Sequence, residues 1–211
     1  MPLFKEWSID SQSLAAIWKV EEPEAFFVER TGITPAIKND KRRMEHLAGR
    51  FLLKHLEQEF PILNIRPDMH DKPRLADDEY FFSISHSWPY VAVVVSPYHE
   101  SGIDIQTWHP RITDIQHKYL SKEEQAIFQD DNQLLTAAWS AKEAAYKWYG
   151  RRAVDFIFNL PIVFYDKKLE DFNINIYINL TTPAKMITID GFLNDDFACA
   201  FVSKAQDWAI Y

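Results

Sequence analysis

Three residues between positions 104 and 143 could share one divalent cation: Asp104, Gln106 and Glu143. Asp104 and Gln106 are two residues apart, a spacing that puts both side chains on one face of a strand. Lys147 follows Glu143 by four residues, so a helix would present the carboxylate and the amine on the same face. Carboxylate and amide oxygens suit Mg²⁺, whose shell water and phosphate oxygens complete. The residues therefore predict phosphoryl chemistry on a polyanionic cofactor.

Each of these pairs also has a simpler interpretation. A glutamate and a lysine four residues apart are usually a solvated helix pair of little energetic consequence. An acid and an amide on one strand face could equally be the solvent-facing side of an ordinary strand. The surroundings of Glu143 favour the functional interpretation, because Leu135, Trp139 and Tyr146 make its helix face partly apolar. We therefore expect the carboxylate and the ammonium to lie in a cleft.

The element that must position these groups is a helix over residues 131–150. Asp131 or Asn132 can cap its start, its interior is rich in alanine, and Gly150 stands where a left-handed stop belongs. Its small residues recur at the spacing of a buried stripe, which permits close approach to a neighbouring layer. Burying that stripe presents the opposite face, which carries Glu143 and Lys147.

Basic residues upstream are grouped, although the chain as a whole has a net charge of -8. The groups are Lys38 with Lys41, Arg42 and Arg43, and Lys72 with Arg74. Each is a candidate site for a polyanionic small molecule, and each could equally be a solvated basic turn. His86, between two serines, is a further candidate. The acidic net charge argues against bulk binding of DNA or RNA.

The other compositional features describe a globular chain of 211 residues, 47% of them hydrophobic. Cys199, the only cysteine, lies in an apolar run, which favours a core role and a reducing compartment. The N-terminal residues lack the features of a signal peptide, and no apolar run has the length of a membrane span. We therefore expect a cytoplasmic protein.

The periodicity along the chain predicts an α+β fold of two lobes, residues 1–98 and 99–211, packed as one functional unit. The predicted helices cover residues 22–30, a longer segment from Asp40, 121–129 after the capping box Ser121–Glu124, and 131–150. The predicted strands cover residues 12–19, 62–65, 80–87 and 90–96 as a hairpin with Ser85–Ser87 at its bend, 102–106, 160–165, 172–180, 185–189 and 197–203.

Several familiar catalytic motifs are absent from the sequence. It contains no G-x-S-x-G, G-x-G-x-x-G, phosphate-loop, H-E-x-x-H or C-x-x-C pattern. Serine hydrolase, dinucleotide oxidoreductase, nucleotide triphosphatase and zinc-enzyme interpretations therefore lose their usual support.

Two longer segments resemble the motifs of a known family. Gly102-Ile103-Asp104-Ile105-Gln106 is similar to G-[IV]-D-[IV]-E, and Trp139–Lys147, W-S-A-K-E-A-A-Y-K, to W-[SC]-x-K-E-[AS]-x-x-K. Both belong to the 4'-phosphopantetheinyl transferases of the surfactin-synthetase-activating type. Supporting similarities are Phe82–Ser87, Lys72-Pro73, and Arg42-Arg43 leading into Leu47–Arg50. Order and spacing agree over residues 38–150.

The resemblance implies a monomer of two similar α/β lobes related by an approximate twofold axis. It implies an Mg²⁺-dependent enzyme that moves phosphopantetheine from coenzyme A to a serine of an acyl or peptidyl carrier protein, releasing adenosine 3',5'-bisphosphate. Carried over by position, the metal ligands would be Asp104, Gln106 and Glu143, and Glu143 or a water that it orders would accept the serine proton. Lys147 would contact the phosphate and assist the departing oxygen.

The resemblance also implies a coenzyme A site that includes Lys38, Arg43, Lys72, Pro73, Ser85, His86 and Lys147. His86 and the region of Arg43 would meet the 3'-phosphate, and the Lys72-Pro73 turn would line the adenine pocket. We expect the carrier protein to dock on a local patch near Lys118, Tyr119, Leu120 and Lys122.

The chain departs from the family pattern at three positions. Gln106 stands in place of the usual glutamate, which keeps an oxygen but removes a charge. Ser83 stands in place of the usual asparagine, and Asp71 in place of the usual glycine before Lys-Pro. Two alternatives therefore stay open: a non-catalytic relative that binds coenzyme A or a carrier protein, and an Mg²⁺-dependent phosphohydrolase built on the same acids.

Overall fold

A computed structural model of the chain describes residues 2–207. The contacts divide the chain into two compact units, and the division falls between Ile105 and Gln106. The predicted boundary after residue 98, as a boundary between functional lobes, stays a prediction. The structure is mixed α and β, as the periodicity indicates.

The first unit contains a four-stranded sheet in the order β1-β2-β6-β5, antiparallel throughout, and a separate two-stranded ribbon of β3 and β4. Its elements are β1 (Leu3–Ser8), β2 (Leu14–Lys19), α1 (Glu24–Thr31), α2 (Asp40–Leu56), β3 (Arg66–Pro67), β4 (Pro73–Arg74), β5 (Phe81–Ser87) and β6 (Tyr90–Ser96).

Helix α2 supplies much of the core of this unit. Leu47, Ala48, Leu52 and Leu53 are fully buried and follow the 3.6-residue period of the helix. The sequence suggests Asp40 as the cap, but Asn39 is the cap, since its side chain accepts a hydrogen bond from the Arg42 amide at 2.9 Å. The prediction was one residue late because both side chains can cap a helix.

Two other predictions for the first unit differ from the structure. Residues 62–65 are predicted as a strand, but Ile62–Asn64 form one turn of 3-10 helix. Ser85–Ser87 are predicted at the bend of the hairpin, but they lie within β5, and the bend is the Trp88-Pro89 pair with its cis peptide bond. Ser85 and His86 therefore have strand geometry, which fixes the directions of their side chains.

The second unit contains a five-stranded sheet in the order β7-β11-β10-β9-β8, and β7 runs through the division between the units. Strands β8 to β11 pair as antiparallel neighbours. The elements are β7 (Ile103–Thr107), α3 (Ile112–Ile115), α4 (Lys122–Phe128), α5 (Asn132–Tyr149), β8 (Ile162–Lys168), β9 (Asp171–Ile178), β10 (Lys185–Leu193) and β11 (Phe197–Asp207).

The core of the second unit forms where α5 covers this sheet. Ala138, Ala141 and Ala145 are fully buried and share a core with Ile174 and Ile176 of β9. The absence of long side chains on this stripe lets the helix approach the strands closely. Residues 2–207 contain no helix that is both long and apolar enough to cross a membrane.

Candidate functional site

Helix α5 has the ends that the sequence predicts. The Asp131 side chain accepts hydrogen bonds from the amides of Gln133 and Leu134, and Gly150 ends the helix with a φ of 70°. Because both ends are fixed, the phase of the helix is fixed between them. Trp139, Glu143 and Tyr146 then fall at positions i, i+4 and i+7, on one face.

A cleft of about 550 Å³ opens on this face of α5. Glu143 lines it together with Trp139 and Tyr146, and Tyr119 and Phe156 supply further aromatic walls. The rings are in contact: the centroid of Trp139 lies 5.0 Å from that of Tyr119 and 5.8 Å from that of Phe156. The predicted carboxylate therefore stands in a cleft with apolar walls, as the composition of this face indicates.

Lys142, next to Glu143, points the other way and is fully buried. Its Nζ donates to both carboxylate oxygens of Glu124 at 2.9 Å, to the Tyr119 carbonyl at 2.7 Å and to the Phe156 carbonyl at 3.0 Å. Tyr119 and Phe156 are also walls of the cleft. One ammonium group therefore ties two walls of the cleft to the helix that carries Glu143.

Glu124 is the second centre of this buried cluster. It is the acidic partner in the capping box of α4, where its Oε2 accepts from the Ser121 amide at 2.7 Å. Its Oε1 also accepts from the Ile162 amide at 2.6 Å, at the start of β8. Burial lowers the pKa of Lys142, and the Glu124 carboxylate opposes this shift. The pair is compensated by hydrogen bonds at every oxygen, as a buried charge pair requires.

Asp104 lies on β7 and is almost fully buried. Its Oδ1 accepts a hydrogen bond from Ser85 Oγ at 2.8 Å, and the same hydroxyl oxygen accepts from the Ile105 amide at 3.2 Å. Ser85 thus fixes the carboxylate and the strand that carries it. The resemblance implies that Ser85 contacts the cofactor, whereas in the structure its hydroxyl group holds a predicted metal ligand.

Gln106 follows Asp104 by two residues on β7 and is partly buried. Its amide nitrogen donates to the Thr107 carbonyl at 3.2 Å, so the amide oxygen is the atom that it can offer to a cation. The predicted ligands Asp104, Gln106 and Glu143 would each offer an oxygen atom, and oxygen donors suit Mg²⁺. Within residues 2–207, no group of three or more His, Cys, Asp and Glu side chains could hold a metal ion, and this set contains only two such residues.

His86 lies on β5 with about half of its side chain exposed. Its Nδ1 is 3.3 Å from Oε2 of Glu45, a carboxylate of α2 that is only 4% exposed. The sequence predicts His86 as a site residue, but the isolated Glu45 gives no sequence sign of its role, because only the packing of α2 brings it to β5.

Arg43 lies in the first turn of α2 and is already engaged with acidic groups. Its Nε and Nη2 donate to the two oxygens of Glu24 at 2.8 and 2.9 Å, and Nη2 also contacts Asp40 at 3.0 Å. These bonds raise the pKa of the guanidinium. Lys38 is exposed, and its carbonyl oxygen accepts from Arg43 at 3.4 Å. Arg43 would have to share its guanidinium with any phosphate.

Lys72 and Pro73 lie at the turn of the small ribbon, where Asp71 has a φ of 63°. Lys72 Nζ is 2.8 Å from Glu100, and burial lowers the pKa of this lysine despite the carboxylate. Arg74 contacts the same Glu100 at 2.6 Å. The predicted basic group is therefore a network of ion pairs within the first unit, and Pro73 is an exposed residue of β4.

Two further predictions concern the second unit. Lys147 is partly buried in the last turn of α5, one turn beyond Glu143, as predicted. The patch for a carrier protein stays a prediction: Lys118 and Lys122 are exposed, whereas the side chains of Tyr119 and Leu120 are fully buried. The approach of Asp104 to Glu143, on which the shared metal site depends, stays a prediction.

Comparison with known proteins agrees with the resemblance. Residues 100–202 match the model of the 4'-phosphopantetheinyl transferase superfamily. A similar protein is enterobactin synthase component D of Salmonella typhimurium, 34% identical over 119 residues that cover 53% of this chain and 50% of that protein. The chain thus spans about half the length of the curated relative that it matches. The segment from β7 into β11, with Asp104, Glu143 and Lys147, is accordingly similar to a domain of this superfamily.

Proposed function

We propose that the chain transfers 4'-phosphopantetheine from coenzyme A to a serine of an acyl or peptidyl carrier protein. The observation that carries the proposal is Glu143 in an aromatic cleft of α5, within the segment that matches the transferase superfamily. The narrower assignment to the surfactin-synthetase-activating type rests on the motifs at residues 102–106 and 139–147.

In the proposed reaction, the serine oxygen forms a bond to the phosphorus that carries pantetheine. The bond from this phosphorus to the bridging pyrophosphate oxygen breaks, and adenosine 3',5'-bisphosphate leaves. Glu143, or a water that it orders, accepts the serine proton. Lys147 donates to phosphate oxygens as negative charge grows on the departing group.

Asp104, Gln106 and Glu143 would hold Mg²⁺, which supplies positive charge against the pyrophosphate. Ser85 prepares this set, because its hydrogen bond fixes one oxygen of Asp104. The rings of Trp139, Tyr146 and Phe156 offer an apolar wall along which a pantetheine chain can lie while water is excluded. The carbonyl of Phe156 accepts a hydrogen bond from Lys142 Nζ, which ties this wall to α5.

Residues of the first unit would supply the remaining contacts with coenzyme A. As the resemblance implies, the 3'-phosphate would meet His86 and the region of Arg43, and Lys38 would belong to the same coenzyme A site. Lys72 and Pro73 would line the adenine pocket, with the lysine held by Glu100 rather than directed at a phosphate. The carrier protein, monomeric state and cytoplasmic location belong to the same proposal.

The direct test is the intact mass of an apo-carrier protein after incubation with coenzyme A and Mg²⁺. We expect the carrier to gain one phosphopantetheine group, and Glu143→Gln to lower the rate by about 10²- to 10⁴-fold, because a general base is lost. Coenzyme A should still bind to this variant. Glu123→Gln, which removes an exposed carboxylate from α4, is the matched control and should keep the rate of the unaltered chain.

The two alternatives give different outcomes in the same assay. Binding of coenzyme A without a mass change of any carrier would select a non-catalytic relative. Release of adenosine 3',5'-bisphosphate in the absence of carrier would select a hydrolase. A Glu143→Gln variant that modifies the carrier at the original rate would contradict the role of Glu143.

A further inference from the structure

Helix α2 approaches strand β5 closely at Gly49. A Cβ at this position would lie 3.0 Å from Cγ2 of Ile84, so glycine lets the helix lie directly against the strand. Glu45 precedes Gly49 by one helical turn, and His86 follows Ile84 by two residues. The two side chains therefore lie on the facing surfaces of the helix and the strand.

The Glu45 carboxylate is buried and needs charged partners. Its Oε2 lies 3.3 Å from Nδ1 of His86, and its Oε1 lies 3.9 Å from Nζ of Lys41. Lys41 is more than half exposed, whereas His86 is anchored on the sheet. The carboxylate thus fixes the imidazole ring by one of its two nitrogens.

The other ring nitrogen, Nε2, is directed away from this contact, because Nδ1 and Nε2 flank one ring carbon and their hydrogen-bonding directions diverge. About half of the side chain is exposed, so the ring can meet a ligand while Glu45 holds it. An imidazolium has an N–H on each nitrogen, one for the carboxylate and one for a phosphate oxygen. A carboxylate on the far nitrogen is also the arrangement that orients histidine ligands elsewhere.

We infer that Glu45 is a positioning residue that holds His86 in the orientation that binds the 3'-phosphate of coenzyme A. This inference rests on the proposed function, and it assigns to a buried carboxylate a part in the recognition of an anion. Glu45 does not touch the ligand, and its effect passes entirely through His86.

The test compares the affinities of coenzyme A and 3'-dephospho-coenzyme A, measured by calorimetry on the full chain. We expect the unaltered chain to prefer coenzyme A. Glu45→Ala should reduce this preference about tenfold, because the hydrogen bond from His86 to the 3'-phosphate would lose its geometry. The affinity for the dephosphorylated form should not change. Glu45→Gln keeps an oxygen for Nδ1 and should retain part of the preference.

Two further variants separate positioning from a general effect on the fold. Glu59→Ala removes an exposed carboxylate beyond the end of α2 and should keep the full preference. In a His86→Ala background, Glu45→Ala should cause no further loss, because the residue through which it acts is gone. If Glu45→Ala does not fold, Glu45→Gln carries the comparison.

The outcomes distinguish this inference from the proposed function. A chain that binds neither nucleotide would overturn the proposed function and the inference with it. Equal binding of both nucleotides by the unaltered chain would overturn the contact with the 3'-phosphate, and therefore this role of Glu45. An undiminished preference in both Glu45 variants would overturn the positioning role alone.

Discussion

The two units each contain a buried carboxylate paired with a basic side chain, and the two pairs differ in what they leave accessible. In the second unit, Glu124 and Lys142 are both buried, and backbone groups complete their hydrogen bonds. In the first unit, Glu45 is buried while about half of the His86 side chain is exposed. The pair of Glu124 and Lys142 supports the walls of a cleft, and the pair of Glu45 and His86 presents a ring nitrogen to a ligand.

The difference shows how burial separates support from recognition. A cation enclosed by four oxygens cannot bind a ligand without losing bonds that the fold needs. A basic side chain held from one side only can bind a ligand on the other. A buried carboxylate and its basic partner therefore serve different purposes according to how much of the pair the fold encloses.

The largest expected effect is on the enclosed pair. Lys142→Met leaves the Glu124 carboxylate buried without its cation, and we expect a loss of about 3–5 kcal/mol in the free energy of unfolding. Urea denaturation followed by circular dichroism measures this loss. The walls at Tyr119 and Phe156 should also become less ordered, because both carbonyls lose the ammonium group.

Lys122→Met is the matched control for this change, because the same substitution falls on an exposed lysine of α4. Its effect should stay within about 0.5 kcal/mol. A double variant with Lys142→Met and Glu124→Gln should recover part of the lost stability, since it removes the unpaired charge. If Lys142→Met is as stable as the unaltered chain, the pair does not support the cleft.

A smaller effect is expected where a neutral hydroxyl holds a carboxylate. Ser85→Ala removes the hydrogen bond to Asp104, and we expect a cost of about 1.5–3 kcal/mol, the usual range for a bond to a charged group. Ser83→Ala is the matched control on the same strand, because Ser83 Oγ accepts a hydrogen bond from the Ile103 amide of β7 at 3.3 Å. Urea denaturation measures the free energy of unfolding of both variants. An equal loss in the two would show that the hydrogen bond to the Asp104 carboxylate adds no stability beyond that of a bond to a backbone amide.

The smallest effect per pH unit concerns a basic group of the first unit that burial keeps neutral. Burial, together with the nearby Arg50 guanidinium, lowers the pKa of His46 from 6.5 to about 4. Between these values the unfolded chain binds a proton that the folded chain does not, so stability falls as the pH falls from 6.5 towards 4. This one group contributes a slope of at most about 1.4 kcal/mol per pH unit.

The measurement is the free energy of unfolding between pH 4 and pH 7 for the unaltered chain and for His46→Gln. The variant should lose that part of the slope and keep the rest, which comes from other titrating groups. Identical slopes in the two proteins would contradict the lowered pKa. Such a result would also weaken the contrast with Lys142, whose burial is offset by a carboxylate.

The sequence predicts most accurately where local interactions decide the structure. The ends of α5 are fixed by Asp131 and Gly150, and the capping box of α4 by Ser121 and Glu124, so each boundary depends on a few neighbouring residues. Strands β5 and β7 follow from alternating apolar residues, and β6 follows from a continuous apolar run. The strand predicted over residues 62–65 was wrong, because a short apolar run does not distinguish a strand from a helical turn.

The sequence by itself determined the chemistry that is available: the acids of β7 and α5, the amine one turn beyond Glu143, and the helix that presents them. Only the tertiary structure decided which carboxylate holds which partner, because Glu45 meets His86 across 41 residues of chain and Glu124 meets Lys142 across 18. Pairs within one helix or one strand follow from a fixed period. Pairs between elements depend on how the elements pack, and no local period records that packing.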